Sequence, residues 1–448
     1  MLLRARVVVP VSQPPIDNGA VLISGRRIRA VGAWRDLART SKQKAIDLGD
    51  VALLPGLINA HCHLDYTDMA GQFEPPRRFT DWIKLITAEK GQWSDDDFKI
   101  SWGRGARMLE RTGTTTVGDI EALPKLLPEV WESTPLRVFS FLEMTGIRSR
   151  RPPRAVLNEA LELIKKLKHP RCKAWLSPHA PYSTMPELLK LATRTALRRR
   201  WRVTTHVAES DQEFEMFLHA QGEMHDWIRR NDRDNSDCGL GSPVQQMERN
   251  GALTSSLLAI HANYLAPGDA DLLGKRGVHV VHCPRSHAFF RHQAFPFEAL
   301  NTAGVNISLA TDSLASVINP RKTTVVKRAA SQSVAGENRN PRLKSVLTEG
   351  QAAAPAIIEL NLFEEMRTFA RRFPSVPPEV IIQMVTLNPA RALGCAGKLG
   401  ELRAGAFADL IALPIERRSE NVFESILNHP GHVSASMING SWAITPTN

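Results

Sequence analysis

Between residues 54 and 311 the chain repeats one pattern, a short apolar run followed by a longer stretch of helical periodicity. The runs fall near 54–61, 114–119, 136–142, 173–178, 202–207, 257–262, 278–283 and 305–311. Stretches such as "RAVLNEALELIKKL" and "DADLLGKRG" separate most of them. Parallel strands need a crossover between neighbours, usually a helix, and their burial on both faces makes them nearly continuously apolar. Eight such runs predict an α/β chain folded as a closed (β/α)8 barrel. A barrel of this kind takes about 250 residues. The chain has 448, of which 43% are hydrophobic, so a second unit with its own core is expected.

The termini supply that unit. "AVLISGRRIRAVG" reads as a hairpin turning at Gly25, and "SASMINGSWAIT" as one turning at Asn439-Gly440, after the strand "ADLIALP". The expected division is 1–53 and 397–448 in the small β domain and 54–396 in the barrel. Residues 317–356 are polar, basic and poor in aromatics, and read as an insert.

Charge excludes less than it suggests. The formal net charge is +11, much of it in 148–173 and in "RRRWR" at 198–202. Nucleic-acid binding needs a basic face on a recognisable module, and no such module is present. "TMPELLKLATRTALRRR" reads as an amphipathic helix with Thr184 and Glu187 as a capping box and cations in its last turn. The five cysteines are scattered, with no CxxC pair, which points to reduced thiols and a cytoplasmic protein. The apolar run of "MLLRARVVVPVSQPP" is interrupted by arginines and too short for a signal peptide, and no run reaches the roughly 20 residues of a membrane span. Neither nucleic acid nor membrane is an expected partner.

Chemistry concentrates where the apolar runs end. The first ends in "LINAHCHLDYTD", with His61 and His63 two residues apart. The fourth ends in "SPHAPYS" with His179, the fifth in "THVAES" with His206 and Glu209, and the sixth in "IHANYL" with His261. The seventh ends in "VHCPRSH" with His282 and His287, and the eighth in "LATDSLAS" with Asp312. In barrel enzymes the C-terminal strand ends form the active site. Taken singly, His206 reads as a buried histidine and Asp312 as a turn cap. Taken together, imidazoles and one carboxylate make a ligand set for zinc or iron. The expected ligands are His61, His63, His206 and Asp312, with Glu209 reaching over an activated water as general acid/base. His282 is left outside the site as a core residue.

These blocks resemble the amidohydrolase superfamily from "LLPGLINAHCH" to "KLGELRAGAFADLIAL". Within it they are similar to the cytosine/adenosine deaminase-like branch of S-adenosylhomocysteine, methylthioadenosine, guanine and aminodeoxyfutalosine deaminases and triazine hydrolases. The resemblance implies a barrel with a β-sandwich made from both termini. It also implies one divalent ion, Zn2+ with Fe2+ as the alternative, because the strand-four end carries His179 where two-metal branches carry a lysine. It implies hydrolytic release of ammonia from an aminated purine nucleoside. A free-base deaminase or s-triazine hydrolase is the runner-up, and a non-enzymatic scaffold the third reading. By the resemblance His261 orients the attacking water, Asp312 accepts its proton and His179 meets the substrate. Trp82 and Glu89 in "TDWIKLITAEK" stand near a Trp and Glu that grip nucleosides in relatives, at a shorter spacing. Arg285 is placed to meet a substrate carboxylate, and His287 stands where many relatives have Asn. A small heterocyclic amine is the expected substrate, and a homo-oligomer, dimer or tetramer, the expected assembly.

Overall fold

The computed structural model describes residues 1–146, 151–318, 358–416 and 421–447. Five strands open the chain: β1 (Leu2–Val8), β2 (Ile16–Ser24), β3 (Arg27–Ala33), β4 (Ala45–Asp47) and β5 (Val51–Pro55). Eight follow in the alternating region: β6 (Leu57–Cys62), β7 (Thr114–Glu121), β8 (Arg137–Met144), β9 (Lys173–Pro178), β10 (Val203–Val207), β11 (Leu257–His261), β12 (His279–His282) and β13 (Asn306–Leu309). Three close the chain: β14 (Leu410–Pro414), β15 (Ala435–Ile438) and β16 (Ser441–Ile444).

Strands β6 to β13 pair in sequence order, all parallel. An isolated parallel bridge between Cys62 and Asp312 joins the last strand to the first. Asn59 reinforces it by donating to Thr311 Oγ1 (2.7 Å) and accepting from the Thr311 N–H (3.2 Å). Ile58, Ala60, Ile120, Phe139, Phe141, Trp175, Leu258, Ile260 and Val281 pack together as one cluster on the barrel strands.

The terminal strands form one mixed sheet in the order β16-β15-β14-β5-β1-β2-β3, with β4 beside β1. Both expected hairpins are present. β2 and β3 turn at Gly25, and β15 and β16 at Asn439 and Gly440, whose φ values of 55° and 81° suit a tight hairpin. Residues 51–55, whose last two begin the first expected barrel strand, pair with β1 and β14 instead. Their uniform apolarity has a cause. Ala52 and Leu54 join the core shared with the barrel layer, whereas Val51 and Leu53 join the terminal sheet's own core. Gly56 makes the transition between sheets. A Cβ there would sit 2.2 Å from the Thr115 side chain, so only glycine fits.

Two further expectations meet the coordinates. The helix Pro186–Arg199 is present with Arg198 and Arg199 in its last turn, but its N-cap is Met185. The Thr184 hydroxyl donates to the Met144 carbonyl, so the capping box does not form. The expected insert at 317–356 lies outside the described residues except for Val317 and Ile318. No helix among the described residues is long and apolar enough to cross a membrane.

A buried ion pair ties the two units. Arg137, which opens β8, donates from Nε and Nη2 to Asp409 Oδ2 (3.1 Å) and Oδ1 (3.3 Å), with both side chains at most 6% exposed. Its guanidinium also lies over the Phe407 ring, 4.2 Å from the centroid. Removing one partner leaves the other charge buried and uncompensated. Asp409→Ala is therefore expected to cost about 3–5 kcal/mol in denaturant unfolding. An unchanged midpoint would show that the pair does not hold the units together.

Candidate metal centre and active site

The site lies at the C-terminal strand ends. His61 is on β6 and His63 one residue beyond it, His206 on β10, His261 at the end of β11, and Asp312 three residues after β13. Left-handed backbone recurs where these chains leave their strands, at Ala208 (φ 51°), His261 (74°), Ala262 (49°) and Asp312 (55°). Such conformations cost energy in non-glycine residues and cluster at functional sites, where they aim side chains.

Three imidazoles converge. One nitrogen each from His61, His63 and His206 lies within 4.8 Å of the other two, and all three residues are buried. Asp312 Oδ1 is 3.5 Å from His61 Nε2 and 3.7 Å from His63 Nε2. Two ligands about 2.0–2.2 Å from one tetrahedral ion stand roughly 3.4–3.6 Å apart, so these separations suit a shared cation. Two other atoms of the set are already committed. Asp312 Oδ2 accepts from Ser286 Oγ (2.7 Å) and Ser316 Oγ (3.3 Å), and His206 Nδ1 sits 2.9 Å from the His179 carbonyl. That second contact fixes the ring so that Nε2 is the free ligand atom. Both ring nitrogens of His61 are buried without a hydrogen-bond partner among the described residues. An orphaned pair of this kind, next to a carboxylate, fits a divalent cation.

Protonation agrees. Burial first, then the charge of His61, pushes His63 down to about 3, and burial pushes His206 well below its usual range. Neutral imidazoles have the lone pair that a metal needs. Burial opposes ionisation of Asp312, but the His61, His261 and His63 rings hold its carboxyl well below the usual range.

Glu209 lies two residues beyond β10, and its Oε1 is 3.4 Å from His261 Nε2. Its backbone N–H donates to Glu213 Oε2 (2.9 Å) and its carbonyl accepts from Asn263 Nδ2 (2.9 Å). Burial, then Asp312 and Glu213, raises its carboxyl well above the usual range. Burial likewise lowers His261 to about 3.

All of this opens into a cavity of about 600 Å³. Its walls include His63, His179, His206, Glu209, His261 and Asp312, and the aromatic residues Tyr66, Phe79, Trp82, Tyr182, Trp227 and Phe290. Trp82 and His179 thus both line this cavity, and His179 Nδ1 is 2.6 Å from Ser183 Oγ. Three expected substrate positions are elsewhere. Glu89 accepts from Trp93 Nε1 (3.1 Å) and is not among the lining residues. Arg285 is committed to Glu365, whose oxygens take its backbone N–H (2.9 Å) and its Nε. His287 lines a separate cavity of about 310 Å³ with His282 and His292. His282 stacks on Phe295 at 3.8 Å between centroids.

Sequence reading missed Lys90, Glu143, Ser286 and Ser316. Glu143 was within reach of the rule that found the rest. It stands at the C-terminal end of β8, one residue before the strand stops. Lys90 and the two serines act through tertiary neighbours and leave no local signal.

The chain matches the model of the Amidohydrolase family over residues 52–443 and belongs to that family. It is 30% identical to a 5-methylthioadenosine/S-adenosylhomocysteine deaminase of Syntrophobacter fumaroxidans, over 90% of this chain and 81% of that one. It is 28% identical to a 5'-deoxyadenosine deaminase of Methanoregula boonei, over 82% and 72%. Among solved structures, Helicobacter pylori aminofutalosine deaminase in complex with methylthio-coformycin superposes with a TM-score of 0.81 at 20% identity, covering 99% of this chain and all of that one. That last likeness is one of fold.

The double variant His61→Ala/His63→Ala is expected to lose divalent metal, from about one ion per chain to none, by elemental analysis of the purified protein. Retained stoichiometric metal would place the ion elsewhere.

Proposed function

We propose that this protein is a metal-dependent aminohydrolase that converts an adenine-type nucleoside to its 6-oxo product and ammonia. The convergence of three imidazoles and one carboxylate beside Glu209 and His261 carries this reading. The deaminase names of the relatives support the substrate class, and a cavity of about 600 Å³ has room for a base with its sugar. His61, His63, His206 and Asp312 would hold the cation, with zinc favoured because three nitrogens and one oxygen are a ligand set that suits it. Activation of water at neutral pH is the chemistry such an ion supplies.

The chain's own residues do the rest. Glu209 keeps its proton by burial and delivers it to the ring nitrogen next to the amine-bearing carbon. That protonation draws electrons from the amine-bearing carbon, so that the attacking oxygen can add to it and take it out of the aromatic ring. His261, neutral and beside Glu209, orients the attacking oxygen. Asp312, held ionised, takes a proton which that oxygen sheds and passes it to the departing amine, and the oxygen's second proton returns to Glu209 as the 6-oxo group forms. The serines on Asp312 Oδ2 keep its other oxygen aimed at the reacting centre. Trp82, Phe79 and Phe290 give the flat base an apolar face and keep water out. Glu89, Arg285 and His287 take no part. A reducing compartment suits the five free cysteines, and assembly as a homo-oligomer belongs to the same proposal.

Glu209→Gln is expected to retain the ion while kcat for ammonia release from adenosine-type substrates falls by about 10²–10⁴. Undiminished turnover would remove Glu209 from the reaction. Ammonia release from guanine or triazines, with none from adenine nucleosides, would overturn the substrate class.

A further inference from the structure

The second cavity, of about 310 Å³, shares no lining residue with the catalytic one. Val281 packs in the cluster on the barrel strands, so the next residue of β12, His282, faces the other way and meets this cavity. Two helices, Pro284–Phe289 and Leu362–Arg372, contribute the walls. The first of them serves both sites: its Ser286 donates to Asp312 Oδ2, whereas its His287 lines the second cavity.

Three histidines of this cavity have a buried ring nitrogen with no hydrogen-bond partner among the described residues: His282 Nδ1, His287 Nε2 and His292 Nε2. His282 is only 3% exposed, so solvent does not satisfy it. The rings stand together, His282 and His287 at 5.2 Å between centroids, His287 and His292 at 5.4 Å. The other nitrogen of His292 is occupied, with Nδ1 3.1 Å from the Tyr264 hydroxyl. Buried nitrogens left unpaired are costly, and a ligand that pairs with them removes the cost.

Charge selects the ligand. Arg291, Arg371 and Arg372 line the same cavity, and no aspartate or glutamate does. Among the described residues none of the three has a carboxylate partner; Arg371 donates to Thr368 Oγ1 (3.0 Å). Arg371 and Arg372 end a helix, where the dipole alone would favour cations, but Arg291 comes from a different segment. Three guanidiniums disfavour a cation here. The group of described residues close enough to share a metal ion is His61, His63 and His206, not this one. An oxyanion fits, because it accepts from guanidinium and imidazole N–H groups alike. Burial holds His287 at about 4 and His292 at about 3, and an anion beside them would favour their protonated, doubly donating form. Phe295, Phe369 and Phe373 complete the lining, so the ligand also carries a flat apolar body.

We infer that this cavity binds a small aromatic oxyanion, a phosphate or a carboxylate, that is not the substrate of the hydrolytic reaction. The inference is independent of the nucleoside reading, which uses none of these residues.

Calorimetric titration of the metal-loaded protein with phenyl phosphate, benzoate and benzyl alcohol tests it. One acid or both should bind one to one, and benzyl alcohol at least about tenfold more weakly. The tighter acid tells phosphate from carboxylate. Arg291→Gln/Arg372→Gln should weaken that acid by about 10–100-fold, the value of lost hydrogen bonds from charged donors. Crystals of the wild type soaked in the same acid should show it against His287 and Arg372, a measurement that needs no variant to fold. No binding of either acid at about 10 mM would overturn the inference. So would equal affinity for benzyl alcohol, affinity unchanged in the arginine variant, or density confined to the catalytic cavity.

Discussion

The site depends on how the barrel closes. The Asp312 N–H donates to the His61 carbonyl (3.2 Å), and Cys62 and Asp312 bridge the first strand to the segment after the last. Residues 250 positions apart in the chain thereby become neighbours, and a carboxylate arrives beside two imidazoles. If β13 slipped by one residue against β6, side chains would exchange faces and Asp312 would leave the imidazole cluster. The Asn59–Thr311 hydrogen bonds, both buried, hold that register. Packing in the barrel and chemistry at its mouth are therefore one problem. The strand pairing that buries Ile58, Ala60 and Val281 also sets the distances between ligands.

Electrostatics follow from burial. A crowd of histidines in water would carry fractional positive charge near neutral pH. Here the interior keeps His63, His206 and His261 neutral, ready to ligate or to orient a nucleophile. The same interior raises carboxyls that lack a cationic partner. Burial lifts Asp119 to about 7, although it accepts from Trp102 Nε1 and the Leu64 N–H, and lifts Asp65 and Glu121 well above their range. Asp312 departs from this because the His61, His261 and His63 rings favour its ionised form, as His179 and Lys90 do for Glu143. A single environment thus yields an anionic ligand and a protonated acid in Glu209, two states that the proposed reaction needs together.

Much of this was legible in the chain, for a physical reason. Parallel strands are apolar because both faces are buried, and the polar residues that the fold gathers follow those runs directly, so order alone placed His61, His63, His179, His206, Glu209, His261 and Asp312 at one end of the barrel. What stayed hidden depends on partners distant in sequence. Arg285 looked free to meet a substrate, but Glu365 takes it, from beyond the 317–356 segment. Thr184 and Glu187 have the spacing of a capping box, yet the Met144 carbonyl claims the threonine. The apolar run around 51–61 is two strands of different sheets, because a fully buried strand has the same composition in either. Left-handed φ at His261 and Asp312 leaves no mark in composition.

The central claim is that His61, His63, His206 and Asp312 share one ion. Anomalous diffraction from crystals of the protein, measured on both sides of the zinc absorption edge, tests it most directly. The account predicts a single strong peak about 2.0–2.2 Å from a nitrogen of each histidine and from Asp312 Oδ1. A peak coordinated by other residues, or none in protein that releases ammonia from its substrate, would contradict it.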